Sequence, residues 1–137
     1  MHYLADLHVH STASDGQYTP TQLVQIAKAK GLEVLALTDH DTMDGLEEAV
    51  QAGSKIGLRV IPGIELSAKE YPTFHILGYG FALDAPSLAE LCHRMKANWD
   101  ERTERLLSFL AQKGIELTAD EVRGLTGGNI IGPPHFA

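Results

Sequence analysis

The first 66 residues alternate between strand and helix patterns, and this order constrains the fold more than any other feature. Residues 32–38 read LEVLALT, a nearly continuous apolar run typical of a strand buried in a parallel sheet. Further strands are predicted at residues 3–9 and 58–66, and helices at residues 20–30 and 44–56. A β-α-β-α-β order predicts a parallel sheet or barrel with right-handed crossovers.

Local signals mark the ends of these elements. Thr19 is the expected N-cap of the first helix, because Pro20 occupies its first position. Gly31 and Gly57 are expected to end the two helices, since glycine readily adopts the left-handed conformation found there.

The connection after the third strand is too short for another parallel crossover. Only residues 68–73 separate GIELS from FHILGYG, whereas a parallel crossover needs roughly a dozen residues. The fourth strand is therefore predicted to run antiparallel to the third. A turn centred near Glu70 would place Glu65 opposite His75.

Beyond residue 83 the pattern becomes helical. A long helix capped by the segment Asp84-Ala85-Pro86 is expected to run to about residue 113, and a shorter one is expected from a cap at Thr118 to about residue 125. This divides the chain into a strand-containing part, residues 1–83, and the start of a helical segment, residues 84–137. Only four strands are predicted, so we expect the chain to form part of a larger domain.

Composition narrows the classes of protein to which the chain can belong. Its 137 residues are 44% apolar, which favours one folded domain with a real core. The net charge of -7 argues against stable binding to duplex nucleic acid. Cys92 is the only cysteine, which favours a reducing compartment. Without a secretory signal or an apolar run of ~18 residues, a cytoplasmic protein without membrane contact is expected.

Histidines and carboxylates follow several predicted strands. His8 and His10 are two residues apart, so on a strand they share one face and can bind one cation. The other candidate ligands are Asp15, His40, Glu65 and His75. Functional groups in parallel α/β folds gather at the carboxyl ends of the strands. The sequence therefore predicts a metal site with mixed nitrogen and oxygen donors, which suits zinc, manganese or iron.

Several other residues have simpler interpretations. His2 and His93 are interpreted as ordinary surface or core histidines. Asp39 and Asp41 remain open, because either could orient His40 or cap the following helix. Trp99 is interpreted as helix packing, and the charged run at residues 96–105 as a solvated face.

Four motifs together resemble one known family. DLHVHSTASDG, ALTDHDT, GIELS and FHILGYGF resemble, in order and spacing, the PHP (polymerase and histidinol phosphatase) superfamily of metal-dependent phosphoesterases. The helical segment and IGPPHFA resemble its bacterial nucleotide phosphoesterase branch, which has a helical insertion. The resemblance implies an α/β fold: the N-terminal part of a distorted (β/α)7 barrel followed by that insertion.

The resemblance also implies roles for individual residues. His8 and His10 would bind a first metal, Glu65 would bridge to a second metal bound by His75, and Asp15 and His40 would bind a third. Asp15, His40 and Glu65 would form the catalytic set, and His135 would lie near the substrate phosphate. The chain departs from the branch at Pro133, where an arginine is usual, and in lacking the later metal ligands.

The implied activity is metal-dependent hydrolysis of phosphate esters, with up to three manganese, zinc or iron ions. The expected substrate is a small phosphorylated molecule: a nucleoside 3′,5′-bisphosphate, or a short oligonucleotide trimmed from its 5′ end. The alternatives are a metal-binding remnant without turnover and another PHP phosphatase, such as one acting on histidinol phosphate. A metal-dependent hydrolase of another bond and a polymerase-associated exonuclease domain are also considered.

Overall fold

The computed structural model describes residues 4–68 and 74–126. The turn expected near Glu70, together with Pro133 and His135, lies outside these residues. The elements in chain order are β1 (Ala5–Val9), α1 (Pro20–Ala29), β2 (Val34–Leu37), α2 (Leu46–Ile56), β3 (Arg59–Ser67), β4 (His75–Tyr79), α3 (Pro86–Gln112) and α4 (Ala119–Thr126).

The described strands form one sheet in the order β1-β2-β3-β4. β1, β2 and β3 are parallel, and β4 is antiparallel to β3, as predicted from the sequence. The Tyr79 hydroxyl on one outer strand donates to the Leu7 carbonyl on the other at 2.8 Å, which shows that the sheet curls. This curl brings residues of β1 and β3 together although β2 lies between them.

The helices begin and end largely where the sequence predicts. The Thr19 hydroxyl accepts from the Gln22 backbone at 3.2 Å, and the Gln22 side chain accepts from the Thr19 backbone at 2.9 Å. This reciprocal pair satisfies two amides at the start of α1. Gly31 and Gly57, with φ of 80° and 67°, follow the two helices in the left-handed conformation.

Helices α1 and α2 cover one face of the sheet, and the hydrophobic core lies between the helices and the strands. The buried side chains there are Val24, Ala27, Leu35, Leu37, Leu46, Ala49, Ala52 and Leu58. Burying one leucine side chain contributes roughly 1.5–3 kcal/mol. The core therefore fixes the parallel strands, and with them the strand ends that carry the candidate ligands.

The register of β3 and β4 differs from the expectation. Glu65 lies opposite Leu77, whereas His75 lies opposite Ser67. The pairing is offset by two residues from the predicted one, and a shift of two residues leaves every side chain on the same face of the sheet. His75 stays on the same face as Glu65, as its diagonal neighbour.

The start of α3 lies within the segment Asp84-Ala85-Pro86, as predicted: Ala85 occupies the N-cap position without a side-chain hydrogen bond, and Pro86 starts the helix. Thr118 does cap α4, where its hydroxyl accepts from the Glu121 backbone at 3.2 Å. The division at residue 83 stays a prediction. Among the described residues, no helix combines the length and apolar character required to cross a bilayer.

Candidate metal centre

The Glu65 carboxylate is the centre of the candidate site. One oxygen, Oε2, lies 2.8 Å from His8 Nε2 and 3.0 Å from His10 Nε2. The other, Oε1, lies 2.7 Å from His75 Nδ1. His40 Nδ1 lies 3.8 Å from Oε2. Four imidazoles from three separate places in the chain therefore surround one carboxylate whose side chain is only 8% exposed.

Asp15 forms a second carboxylate group at the edge of this cluster. Its Oδ1 lies 3.5 Å from His10 Nδ1, and its Oδ2 lies 3.8 Å from His40 Nε2. The structure thus brings together all six ligands predicted from the sequence that lie within the described residues. Their assignment to individual metals stays a prediction, and His135 lies outside the described residues.

The donor set fits a divalent cation. Three groups of donors have ligand atoms within 4.8 Å of one another: His8, His10 and Glu65; His10, Asp15 and His40; and His40, Glu65 and His75. Ligands that share one zinc at ~2.0–2.2 Å are themselves roughly 3 Å apart. Within the part of the chain that the structure describes, no group makes a hydrogen bond to the buried His10 Nδ1 or His40 Nδ1. Buried nitrogens of this kind normally require a partner, and a cation would supply it.

The pKa shifts also favour cation binding. Burial lowers the pKa of His10, and nearby His40 lowers it further, against the opposing pull of the neighbouring carboxylates. Burial raises the pKa of the Glu65 carboxyl, but hydrogen bonds from His8 and His75 and the neighbouring imidazoles outweigh it, so the pKa lies below its ordinary value. A neutral imidazole and an ionised carboxylate are the forms that bind metal.

Asp39 anchors the loop that carries Asp15. Its carboxylate accepts from the Ser11 backbone at 2.6 Å, the Ser11 hydroxyl at 2.7 Å and the Ser14 hydroxyl at 2.6 Å. It makes neither of the contacts considered from the sequence, since it does not bond to His40 or cap α2. Its partners lie 25 and 28 residues away in the chain, and no local pattern indicates them.

Asp41 joins the site to the long helix α3. Its buried carboxylate accepts from the Ser67 backbone at 2.9 Å and from the Trp99 indole at 2.6 Å. Its φ of 52° lies in the left-handed region, which is unusual for a residue other than glycine. Trp99 therefore does more than pack α3, because it holds the residue that directly follows His40.

Replacing Trp99 with phenylalanine is expected to lower the free energy of unfolding by about 1–3 kcal/mol, because a buried carboxylate loses a donor. Urea denaturation measures this loss. Phe109, an exposed aromatic on the same helix, supplies the control as Phe109→Leu. Equal stability of Trp99→Phe and the parent chain would contradict the role given to this hydrogen bond.

Cys92 is not equipped to act as a nucleophile. Burial raises the pKa of its thiol to about 11, with a further contribution from the carboxylates of Asp41 and Asp44. At pH 8 we therefore expect Cys92 to react with a disulfide reagent roughly 10-fold more slowly than a cysteine of ordinary pKa, because the smaller thiolate fraction is partly offset by the higher nucleophilicity of a more basic thiolate. The same chain unfolded in urea is the reference. Equal rates in the folded and unfolded chains would contradict the shift.

Comparison with known proteins places this site in a family. A family model described as the PHP domain matches residues 6–130. The chain belongs to the PHP domain family. The residues that surround Glu65 all lie within the matched range.

Three curated relatives match nearly the whole chain. A 5′-3′ exoribonuclease from Haemophilus influenzae is 40% identical over 96% of this chain. A phosphoribosyl 1,2-cyclic phosphate 1,2-diphosphodiesterase from Eggerthella lenta is 47% identical over 90% of it. A 3′,5′-nucleoside bisphosphate phosphatase from Chromobacterium violaceum is 36% identical over 96%. The chain spans about half the length of these PHP relatives: 48%, 50% and 47% respectively.

Solved structures agree with the predicted fold class. An amidohydrolase from Chromobacterium violaceum, determined with bound sulfate and without metal, superposes with a TM-score of 0.88 at 33% identity. The match covers 98% of this chain and 48% of that protein. The α/β prediction is confirmed, and the chain corresponds to about half of a PHP barrel protein.

Proposed function

We propose that this chain carries the centre of a metal-dependent phosphoesterase that hydrolyses nucleotide-like phosphate esters. The observation that carries the proposal is the Glu65 carboxylate surrounded by four imidazoles, with Asp15 at the edge. The names of the relatives support a nucleoside 3′,5′-bisphosphate or the 5′ end of a short oligonucleotide as substrate. A further relative is named for a cyclic phosphodiester, so a substrate of that kind should be assayed beside the other two.

The residues divide into those that hold metal and those that position them. His8, His10, Asp15, His40, Glu65 and His75 would hold up to three manganese, zinc or iron ions. Bound divalent cations supply Lewis acidity, which polarises phosphoryl oxygens and lowers the pKa of a water molecule toward neutrality. Asp39 keeps the loop bearing Asp15 in place. Asp15, His40 and Glu65 are the proposed catalytic residues.

Water is the nucleophile that the side chains favour. The hydroxyls of Ser11 and Ser14 both donate to Asp39, so neither is directed at a substrate. The thiol of Cys92 has a pKa of about 11 and stays protonated near neutral pH. We place the protein in the cytoplasm, where a lone cysteine stays reduced and small phosphorylated metabolites are available.

Phosphate release from adenosine 3′,5′-bisphosphate with added manganese tests the proposal. We expect release that stops with chelator and is lost in a His40→Ala variant, with His93→Ala as the matched control. Metal binding is measured on the same samples by calorimetry. Because His93 is exposed and belongs to none of the donor groups, its replacement should leave both readouts unchanged.

A non-catalytic metal-binding role is the second candidate. It is favoured by one observation, namely that the three donor groups can hold a cation without any contribution from a substrate. Tight metal binding without release from any of these substrates would support this role and contradict the phosphoesterase proposal. Absence of metal binding would contradict both.

A further inference from the structure

We propose that Asp41 and Trp99 couple the position of helix α3 to metal binding at one donor group, that of His40, Glu65 and His75. This inference rests on the proposed function, because it concerns the same metal centre, and it extends that function by giving the helix a part in setting metal affinity. The Asp41 carboxylate and the Trp99 indole form the link, at 2.6 Å. Neither belongs to a donor group found among the described residues, so both are positioning residues.

Asp41 contacts the backbone beside every member of this donor group. It directly follows His40, and its own amide donates to the Glu65 carbonyl at 3.0 Å. Its carboxylate accepts from the Ser67 amide at 2.9 Å, and Ser67 pairs with His75 across β3 and β4. A displacement of Asp41 would therefore change the spacing of all three ligands. Each of the other two donor groups shares only one residue with this group, so they should be affected less.

The backbone of Asp41 depends on these contacts. Its φ of 52° lies in the left-handed region, and among the described residues no other non-glycine residue has a positive φ. Such a conformation persists only where the surroundings hold it in place. The Trp99 indole satisfies one oxygen of the buried carboxylate, and a buried acceptor that loses its donor is costly. Without the indole we expect Asp41 to shift toward water and to displace His40.

Helix α3 makes few other contacts that could fix its position. Of its 27 residues, all within the described part of the chain, only Thr103 is buried. A cavity of about 270 Å³, lined by Cys92, lies between the helix and the residues that follow His40. Another of about 400 Å³, lined by Arg102, lies between the helix and the end of β3. Because helices in proteins gain most of their stability from packing, this helix depends on specific contacts such as that of Trp99.

The coupling operates in both directions. A cation bound to His40 would hold the following residue, Asp41, where its carboxylate can accept from Trp99. Conversely, the docked indole holds Asp41 in place and keeps His40 oriented toward its partners. Thermodynamic linkage requires that the two effects be equal in free energy. A cation that strengthens the docking of α3 is therefore bound more tightly when α3 is docked.

The emission of Trp99, the only tryptophan of the chain, reports this coupling. Zn²⁺ is added to the metal-free full chain, because its filled d shell has no redox chemistry that would complicate the signal. We expect the emission to change along the same curve as the heat of binding measured by calorimetry. Asp41→Gly should abolish the emission change, since glycine adopts the left-handed conformation freely but lacks the carboxylate.

Two variants control the emission measurement. Asp44→Gly removes an exposed carboxylate of the same segment and should retain the emission change. His93→Ala should also retain it, which shows that the signal does not come from zinc bound to an exposed histidine of α3 itself.

The affinity for zinc provides the reciprocal measurement. Trp99→Phe should weaken at least one zinc-binding event about tenfold, since loss of a group that orients a metal ligand typically costs 10–100-fold in affinity. Phe109→Leu, at an exposed aromatic of the same helix, should bind zinc as the parent chain does. A purely structural role of Trp99 would lower the free energy of unfolding and leave the zinc affinity of the folded chain unchanged. Circular dichroism verifies that each variant is folded.

Either of two results would overturn the inference: a constant Trp99 emission while calorimetry shows zinc binding, or a Trp99→Phe variant with the zinc affinity of the parent. Both results are obtained without Asp41→Gly, so the test holds even if that variant does not fold. The titrations contain no substrate. Coupling without phosphate release would therefore contradict only the proposed hydrolysis, whereas a parent chain that binds no zinc would overturn both proposals.

Discussion

Replacing Glu65 with glutamine is expected to weaken Zn²⁺ or Mn²⁺ binding by more than about 100-fold. Loss of a group that merely supports a metal ligand typically costs 10–100-fold in affinity, and Glu65 lies at the centre of four imidazoles. Glutamine keeps the size of the side chain but removes its charge and replaces one acceptor oxygen with a donor. The four imidazoles would then surround a neutral group with one acceptor oxygen instead of two, which is a weaker ligand for a cation.

Calorimetric titration of the metal-free chain measures this effect. Glu90→Gln is the matched control, because Glu90 is exposed and belongs to none of the donor groups. Circular dichroism verifies that Glu65→Gln remains folded. Affinity within a few-fold of the parent chain would mean that the cluster around Glu65 is not a metal centre.

Replacing Asp39 with alanine is expected to lower the free energy of unfolding by about 3 kcal/mol. Three donors lose their charged acceptor at once, and the carboxylate that they share is only 2% exposed. Hydrogen bonds to charged groups contribute about 1.5–3 kcal/mol each, but the loop can relax and recover part of the loss from water. We also expect weaker metal binding, because Asp15 is carried by the same loop.

Urea denaturation measures the loss, with Asp44→Ala as the control at an exposed aspartate in the same region. Asp39→Asn separates the effect of charge from that of shape, because asparagine retains one acceptor oxygen. Its free energy of unfolding should lie between those of the parent chain and Asp39→Ala. Stability of Asp39→Ala within 1 kcal/mol of the parent would show that the serine hydroxyls find other partners.

Local patterns were sufficient to predict the elements of the sheet. The apolar run at residues 32–38 identified a buried strand, and the Thr19-Pro20 pair located the start of α1. The predicted ligands also come together, since residues at the ends of parallel strands must meet at one edge. These inferences depend on short stretches of chain whose chemistry is visible in the sequence.

Contacts between distant residues could not be predicted. The partners of Asp39 lie on another loop, and the Asp41–Trp99 hydrogen bond joins residues 58 positions apart. The offset between Glu65 and His75 was also missed, because a shift of two residues keeps the same side chains on each face and the alternating pattern does not distinguish the two registers. The cavity lined by Ser67 and Arg102 depends on how α3 lies against β3, and a helical pattern alone cannot show this.

The two outer strands of the sheet have a practical consequence for handling the protein. Within the described residues, β1 pairs only with β2 and β4 only with β3, so each outer strand has an edge without a strand partner. Both outer strands also present large apolar side chains, among them Leu7, Ile76 and Tyr79, to solvent. Unpaired apolar edges are templates for self-association. Scattering measured across a range of concentrations should accompany every titration, because aggregates would conceal the affinities.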